Sequence, residues 1–171
     1  LVRSRGLGDV YKRQEYAAKT AYKETDAATY QAMEALVHNL NTMNSRAGAQ
    51  VPFSSLNYGT DTSPEGRMAV HNLLRATEAG LGDGETPIFP VQIFKVKEGV
   101  NYNEGDPNYD LFRHALRCSA KRLFPNFSFL DAPFNLQYYK PGDYNTEVAY
   151  MGCRTRVMGN VFDNTKAVSY T

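Results

Sequence analysis

The chain has 171 residues, 42% hydrophobic and 22% charged, with 19 Lys and Arg against 18 Asp and Glu for a net charge of +1. That balance excludes a general nucleic-acid binder, which carries a clear basic excess, and the apolar fraction is that of a folded domain. No apolar run reaches the roughly 18 residues of a membrane span, and two cysteines are too few for a disulfide scaffold, so a reducing, cytoplasmic setting is expected.

Residues 1–14 read LVRSRGLGDVYKRQ, in which Arg3, Arg5, Lys12 and Arg13 face a single acid, Asp9. The stretch shows no helical or strand period and no cap. It resembles a translated sequencing-adaptor or vector remnant, a segment to be kept out of fold reasoning; a native basic arm is the alternative. Without it the remainder is mildly acidic. The chain also opens without Met and stops inside a β-favouring run, VFDNTKAVSYT, so it reads as a fragment of a longer protein.

From Glu15 to about Ser45, Tyr22, Thr29/Tyr30, Met33, Leu36/Val37, Leu40 and Met43 recur at spacings of three and four, the period of an amphipathic helix. Thr25 or Asp26 could instead cap a second helix after a short break. Gly48 supplies the stop. Ala49–Tyr58 reads as a strand weakened by Pro52, which has no N–H to give a ladder. After a turn at Gly59–Ser63, Ser63 and Pro64 open a second helix as N-cap and first residue, running to about Gly80. Ile88–Val96 is a second strand, and Glu98–Asn108 a polar loop. Tyr109–Leu123 is a third helix, and Phe127–Leu130 a short strand. Pro133–Thr146 is irregular, with a turn at Pro141-Gly142-Asp143. Strands alternating with helices predict βα units in a mixed or parallel α/β sheet.

Few residues announce chemistry on their own. Cys118 lies in the third helix at apolar spacing and reads as a packing residue. Cys153 follows Gly152, which permits an unusual backbone angle or a close approach, and precedes Arg154; a thiol so placed can be presented into a cavity. The two cysteines, with no paired His, do not match zinc-ligand spacing, so no metal site is expected. His38, His71 and His114 each sit in a helix and read as surface or capping residues. Gly80-Leu81-Gly82-Asp83-Gly84 follows a helix rather than a strand, which excludes a dinucleotide loop. Ser54, Ser55 and Asn57, on a strand beside a turn, offer hydroxyls and an amide suited to a phosphate or a ribose.

Longer stretches are more specific. HNLNTMNSRAGAQVPFSSLNYGTDTSPEGRM (38–68), LLRATEAGLGDGETPIFPVQIFKVKEGVNYNEGDPNYDLF (73–112) and SAKRLFPNFSFLDAPFNLQYYKPGDYNTEVAYMGCRTRVMGN (119–160) closely resemble the catalytic subunit of the anaerobic, glycyl-radical class of ribonucleoside-triphosphate reductases. The resemblance implies that residues 15–171 belong to a ten-stranded α/β barrel of two half-barrels, from the first half-barrel up to the finger loop. It implies that Cys153 is the finger-loop cysteine, with Met151, Gly152 and Arg154 beside it. That cysteine, oxidised to a thiyl by a C-terminal glycyl radical, would take the 3′ hydrogen of the ribose, with formate as reductant. Ser54, Ser55 and Asn57 become candidates for substrate contacts, and the helix 15–45 resembles a region near the dimer interface and the specificity site for ATP and dNTP effectors. Arg154 and Arg156 could hold the loop or meet phosphates; because flanking charge favours thiolate, at least one is expected to turn away into an ion pair.

The resemblance also implies features with no counterpart in this sequence: an N-terminal ATP module, a second cysteine on an early strand, the glycyl-radical motif and the cysteine pairs of a structural zinc. The implied partners are a ribonucleoside triphosphate, a radical-SAM activating enzyme and a second copy of the full-length protein, with no nucleic acid and no membrane. The isolated chain is expected to be inactive and marginally soluble. Another glycyl-radical enzyme of the same barrel, or a non-catalytic nucleotide-binding module, are the alternatives.

Overall fold

The structure is a computed structural model that describes residues 2–45, 48, 50–152, 155–159 and 167–170, with side chains for these except 2–9, 144 and 167–170. It opens on helix α1, Val2–Thr42. Three strands, β1 (Ser55–Tyr58), β2 (Val91–Val96) and β3 (Asn126–Phe129), form a parallel sheet in the order β1-β2-β3. Helices α2 (Pro64–Ala79) and α3 (Tyr109–Arg122) make the crossovers, which is the βα alternation predicted from the sequence. A short helix α4 (Pro133–Leu136) and a single 3-10 turn at Tyr144–Thr146 follow, where the sequence suggested irregular chain. Strands β4 (Ala149–Met151), β5 (Thr155–Gly159) and β6 (Ala167–Tyr170) form a second, antiparallel sheet.

α1 is continuous through Thr25 and Asp26, where a break was one reading. Asp26 accepts a hydrogen bond from Asn72 Nδ2 at 2.7 Å and faces Arg75 at 3.6 Å, so its polar group is used between helices rather than as a cap. The helix also extends through residues 2–14, which carry no helical period; propagating an existing helix needs only one added hydrogen bond per residue, far less than nucleation. Its C-terminal half packs Val37, Met33 and Tyr30 on Leu73 and Ala76 of α2. It ends at Thr42, before the predicted Ser45. Asn41 ties the end down: Nδ2 donates to the Phe89 carbonyl at 2.6 Å, and Oδ1 accepts the N–H groups of Ile88 and Phe89 at 2.8 and 3.0 Å.

Both β1 and β2 begin later than their apolar runs. Pro52 and Pro90 have no N–H, and the ladder opens only where Val91 N–H meets the Ser54 carbonyl at 2.8 Å. α2 starts as read, with Ser63 Oγ accepting from Gly66 N–H at 3.1 Å and Pro64 in the first turn. Its last carbonyls are gathered by Arg122, whose guanidinium donates to Glu78 O and Ala79 O at 2.9 and 2.8 Å.

Alternation along the strands separates two faces. Tyr58, Phe94 and Phe127 point to the helices and join Val70, Leu74, Leu111, Ala115 and Cys118 in the main core. A buried polar line crosses this layer: Tyr58 O–H donates to Gln92 Oε1 at 2.6 Å, and Gln92 Nε2 donates to Thr77 Oγ1 at 2.8 Å. The opposite face carries Ser55, Asn57, Ile93, Lys95 and Ser128, and it receives the β4–β5 hairpin, seated on Leu130 through Val148, Tyr150 and Met158.

Candidate functional site

The hairpin brings the sequence around Gly152 against the start of β1. Among the described residues β4 is the edge strand of its sheet, so one side of its backbone has no neighbouring strand there. The Asn57 side chain supplies one: Nδ2 donates to the Tyr150 carbonyl at 2.7 Å, and Oδ1 accepts the Tyr150 N–H at 2.8 Å. Two residues further along β4, Gly152 N–H donates to Ser55 Oγ at 3.2 Å. At the other end of the crossing, Lys95 Nζ lies 2.7 Å from Glu147 Oε1, both side chains largely buried. Strand β4 thus crosses the face opposite the helices from Lys95 towards the N-terminal end of β1.

Gly152 is buried and adopts φ +66, a left-handed angle that favours glycine. A Cβ there would lie 3.2 Å from the Phe53 ring, which itself stands edge-on to Phe89 with centroids 5.3 Å apart. The expectation of a special backbone at Gly152 therefore holds. Cys153 and Arg154 lie outside the described residues. Met151, the last residue of β4, is exposed.

Of the three polar residues singled out, Ser54 precedes β1, while Ser55 and Asn57 lie on it and direct their side chains to the hairpin backbone. Ser55 keeps its hydroxyl proton and Asn57 one amide N–H for another acceptor. Ser54 bonds only weakly, its hydroxyl 3.5 Å from the Pro52 carbonyl. Of the two arginines, one of which was expected to enter an ion pair, Arg154 lies outside the described residues and Arg156 makes other contacts. It donates to the Phe134 carbonyl at 3.1 Å and lies over the Phe134 ring, because its place on β5 points it at α4, where no carboxylate is within reach among the described residues.

Cys118 is fully buried, its thiol 3.7 Å from the Leu74 carbonyl. Burial, reinforced by Glu78, pushes that thiol up to about 11, so it stays protonated and inert. His114 corrects the reading of a surface histidine. It is buried, with Nε2 3.2 Å from Glu78 and its ring 5.2 Å from His71. Burial, then the neighbouring His114 and Arg75, hold His71 below the usual histidine range. This cluster joins two helices 36 residues apart in sequence at Glu78 and His114, a pairing no single sequence displays. The Lys95–Glu147 pair was likewise missed, although a lysine inside the apolar run VQIFKV is a visible signal. Among the described residues no group of three or more His, Cys, Asp or Glu could hold a metal ion, and no helix is long and apolar enough to cross a membrane.

Comparison with known proteins gives the family. Residues 10–171 match the family described as anaerobic ribonucleoside-triphosphate reductase. The reductase of that name from Escherichia coli K12 is 35% identical over 141 residues, which is 82% of this chain and 18% of the relative. The Salmonella typhimurium protein is 35% identical over 136 residues, covering 79% of this chain and 18% of its own length. The one from Enterobacteria phage T4 is 40% identical over 111 residues, or 64% of this chain and 18% of its own length. The chain therefore spans under one-fifth of the relatives it matches. With a family match over nearly its whole length, carrying the β1 polar residues and the Gly152 hairpin, the chain belongs to the anaerobic ribonucleoside-triphosphate reductase family.

Proposed function

We propose that this chain is the part of a reductase that carries its radical cysteine, and that the protein containing it reduces ribonucleoside triphosphates to deoxyribonucleoside triphosphates without oxygen. The observation that carries the reading is the docking of the β4 strand across the parallel sheet, which brings Gly152, the residue before Cys153 in sequence, against Ser55 at the start of β1. The sheet β1-β2-β3 is then part of a ten-stranded barrel whose interior faces the hairpin, and the hairpin is its finger loop.

The residue types suit hydrogen-atom chemistry. A neutral thiol has an S–H bond close in strength to an activated C–H bond; a carboxylate has nothing comparable. A glycyl radical, generated elsewhere in the full-length protein by a radical-SAM activating enzyme, would accept a hydrogen atom and so leave the unpaired electron on sulfur, and formate would supply the two electrons of the reduction as it is oxidised to carbon dioxide. Cys153 would give its hydrogen atom to that radical and then take the 3′ hydrogen of the ribose; the 2′ hydroxyl, with an added proton, would leave as water, and Cys153 would return the hydrogen to C3′ once formate has reduced the sugar. Gly152, with no side chain, lets the loop tip come close to a sugar, and the surrounding wall keeps water out. Ser54, the hydroxyl proton of Ser55 and the second amide N–H of Asn57 would meet the ribose or a phosphate. Arg154 would meet phosphates or hold the loop.

The assignment extends to a cytoplasmic homodimer regulated by ATP and dNTPs, with a structural zinc held by cysteine pairs outside this segment. The substrate class is tested by offering the activated full-length reductase ribonucleoside triphosphates, pyruvate and small diols. Deoxynucleotide formation with no reaction of the other two is expected. Turnover of pyruvate or a diol, with nucleotides ignored, would assign a different glycyl-radical chemistry.

A further inference from the structure

We infer that Asn57 and Ser55 are positioning residues that set how far the loop bearing Cys153 reaches, a role that rests on the reading of Cys153 given above. Two periodicities coincide here. Side chains on one face of β1 recur every two residues, and N–H groups on one edge of β4 also recur every two residues. Asn57 takes Tyr150 and Ser55 takes Gly152, so a step of two back along β1 matches a step of two forward along β4. The result is a ladder in which side chains of one strand replace the backbone of a missing neighbour. Asn57 is suited to this because its amide carries both a donor and an acceptor, as a peptide group does. Ser55 has only to accept, because Gly152 presents an N–H. Lys95 and Glu147 fix the far end of the same crossing at 2.7 Å, and the Phe53 ring closes over Gly152.

The ladder acts as a ruler. The next register that keeps the same side chains facing β4 is shifted by two residues, about 6.6 Å along the strand. Hydrogen-atom transfer requires reacting atoms about 3–3.5 Å apart, and a misplacement of about 1 Å lowers a rate by about 10²-fold. Register loss is therefore incompatible with turnover, and even slackness in the ladder reaches the chemical step. A residue that only bound nucleotide would behave differently, raising KM while leaving kcat intact.

The test uses the full-length reductase with Asn57→Ala, Asn57→Asp and Ser55→Ala. Glycyl-radical content is read by electron paramagnetic resonance, kcat and KM by nucleotide turnover, and protection of the Tyr150 and Gly152 amides by hydrogen exchange. The expected result for Asn57→Ala is a kcat about 10²-fold lower, KM changed less than about threefold, undiminished radical and lost protection at Tyr150. Asn57→Asp keeps the acceptor for Tyr150 N–H and should recover part of kcat. Ser55→Ala should fall in the same direction by less, with protection lost at Gly152, and it stands in if Asn57→Ala does not fold. A tenfold rise in KM with unchanged kcat, or full kcat in both Ser55→Ala and Asn57→Asp, would overturn the role. Those results alongside an inactive Cys153→Ser protein sink only the ladder; turnover by Cys153→Ser sinks the reading beneath it.

Discussion

Gln92 offers a quantitative test of the layer that supports the hairpin. It is almost fully buried and bonds Tyr58 on β1 and Thr77 on α2 at 2.6 and 2.8 Å. Gln92→Leu keeps the volume but strands the Tyr58 hydroxyl, which burial already holds well above its usual pKa. An orphaned buried donor costs about 1–3 kcal/mol, and Thr77 loses one further bond of about 1 kcal/mol, although it keeps its own donation to Leu73 O. The single change should therefore destabilise by about 2–4 kcal/mol. Tyr58→Phe alone strands Gln92 Oε1, for about 1–2 kcal/mol. The double variant removes both partners and should cost no more than about 1–2 kcal/mol, so the cycle closes with a coupling of at least about 1–2 kcal/mol. Urea unfolding followed by circular dichroism measures it, with a constant denaturant slope showing that the folded state is otherwise unchanged. Simple additivity within about 0.5 kcal/mol would refute the argument.

Gly152→Ala should cost about 1–2 kcal/mol, because a Cβ is strained at φ +66. Phe53→Ala should recover only the smaller steric part, since the exposed Phe53 ring can move and the backbone angle cannot; full recovery in the melting temperature of the double variant would contradict this. Lys95→Met should destabilise by about 3 kcal/mol by leaving the largely buried Glu147 carboxylate unpaired, whereas Lys95→Met with Glu147→Leu should cost far less in the same unfolding assay. The Cys118 thiol is raised to about 11 in the folded chain, so its contribution to stability is present below about pH 8.5 and is lost as pH rises through 11. Cys118→Ala should accordingly lose less stability than the parent between pH 8 and 10.5; parallel loss would show that the thiol is not buried.

The helices were legible because each carries its own signals. The 3.6-residue period of α1, the Ser63-Pro64 start of α2 and the apolar side of α3 all appear in the local sequence. The parallel sheet was legible from the alternation of these helices with apolar runs. Strand starts were not, because whether residues 51–54 or 88–90 pair depends on partners far along the chain and on prolines that donate nothing. The site divides in the same way. Gly152 declared an unusual backbone through residue type alone, and the polar run Ser54, Ser55 and Asn57 stood out on a strand. What Ser55 and Asn57 bond could not be read, since Asn57 and Tyr150 are 93 residues apart and meet only when the hairpin lies down on the sheet. His114 was misread for the same reason: its burial against Glu78 comes from the packing of α2 on α3, which helical spacing alone does not reveal.

The central claim is that Cys153 carries the radical to the nucleotide and Cys118 only packs. Deoxynucleotide formation by full-length reductase bearing Cys153→Ser, set beside Cys118→Ser at matched glycyl-radical content, tests it most directly. No product is expected from Cys153→Ser, and near-parent turnover from Cys118→Ser. Product formed by the Cys153→Ser protein would contradict that claim.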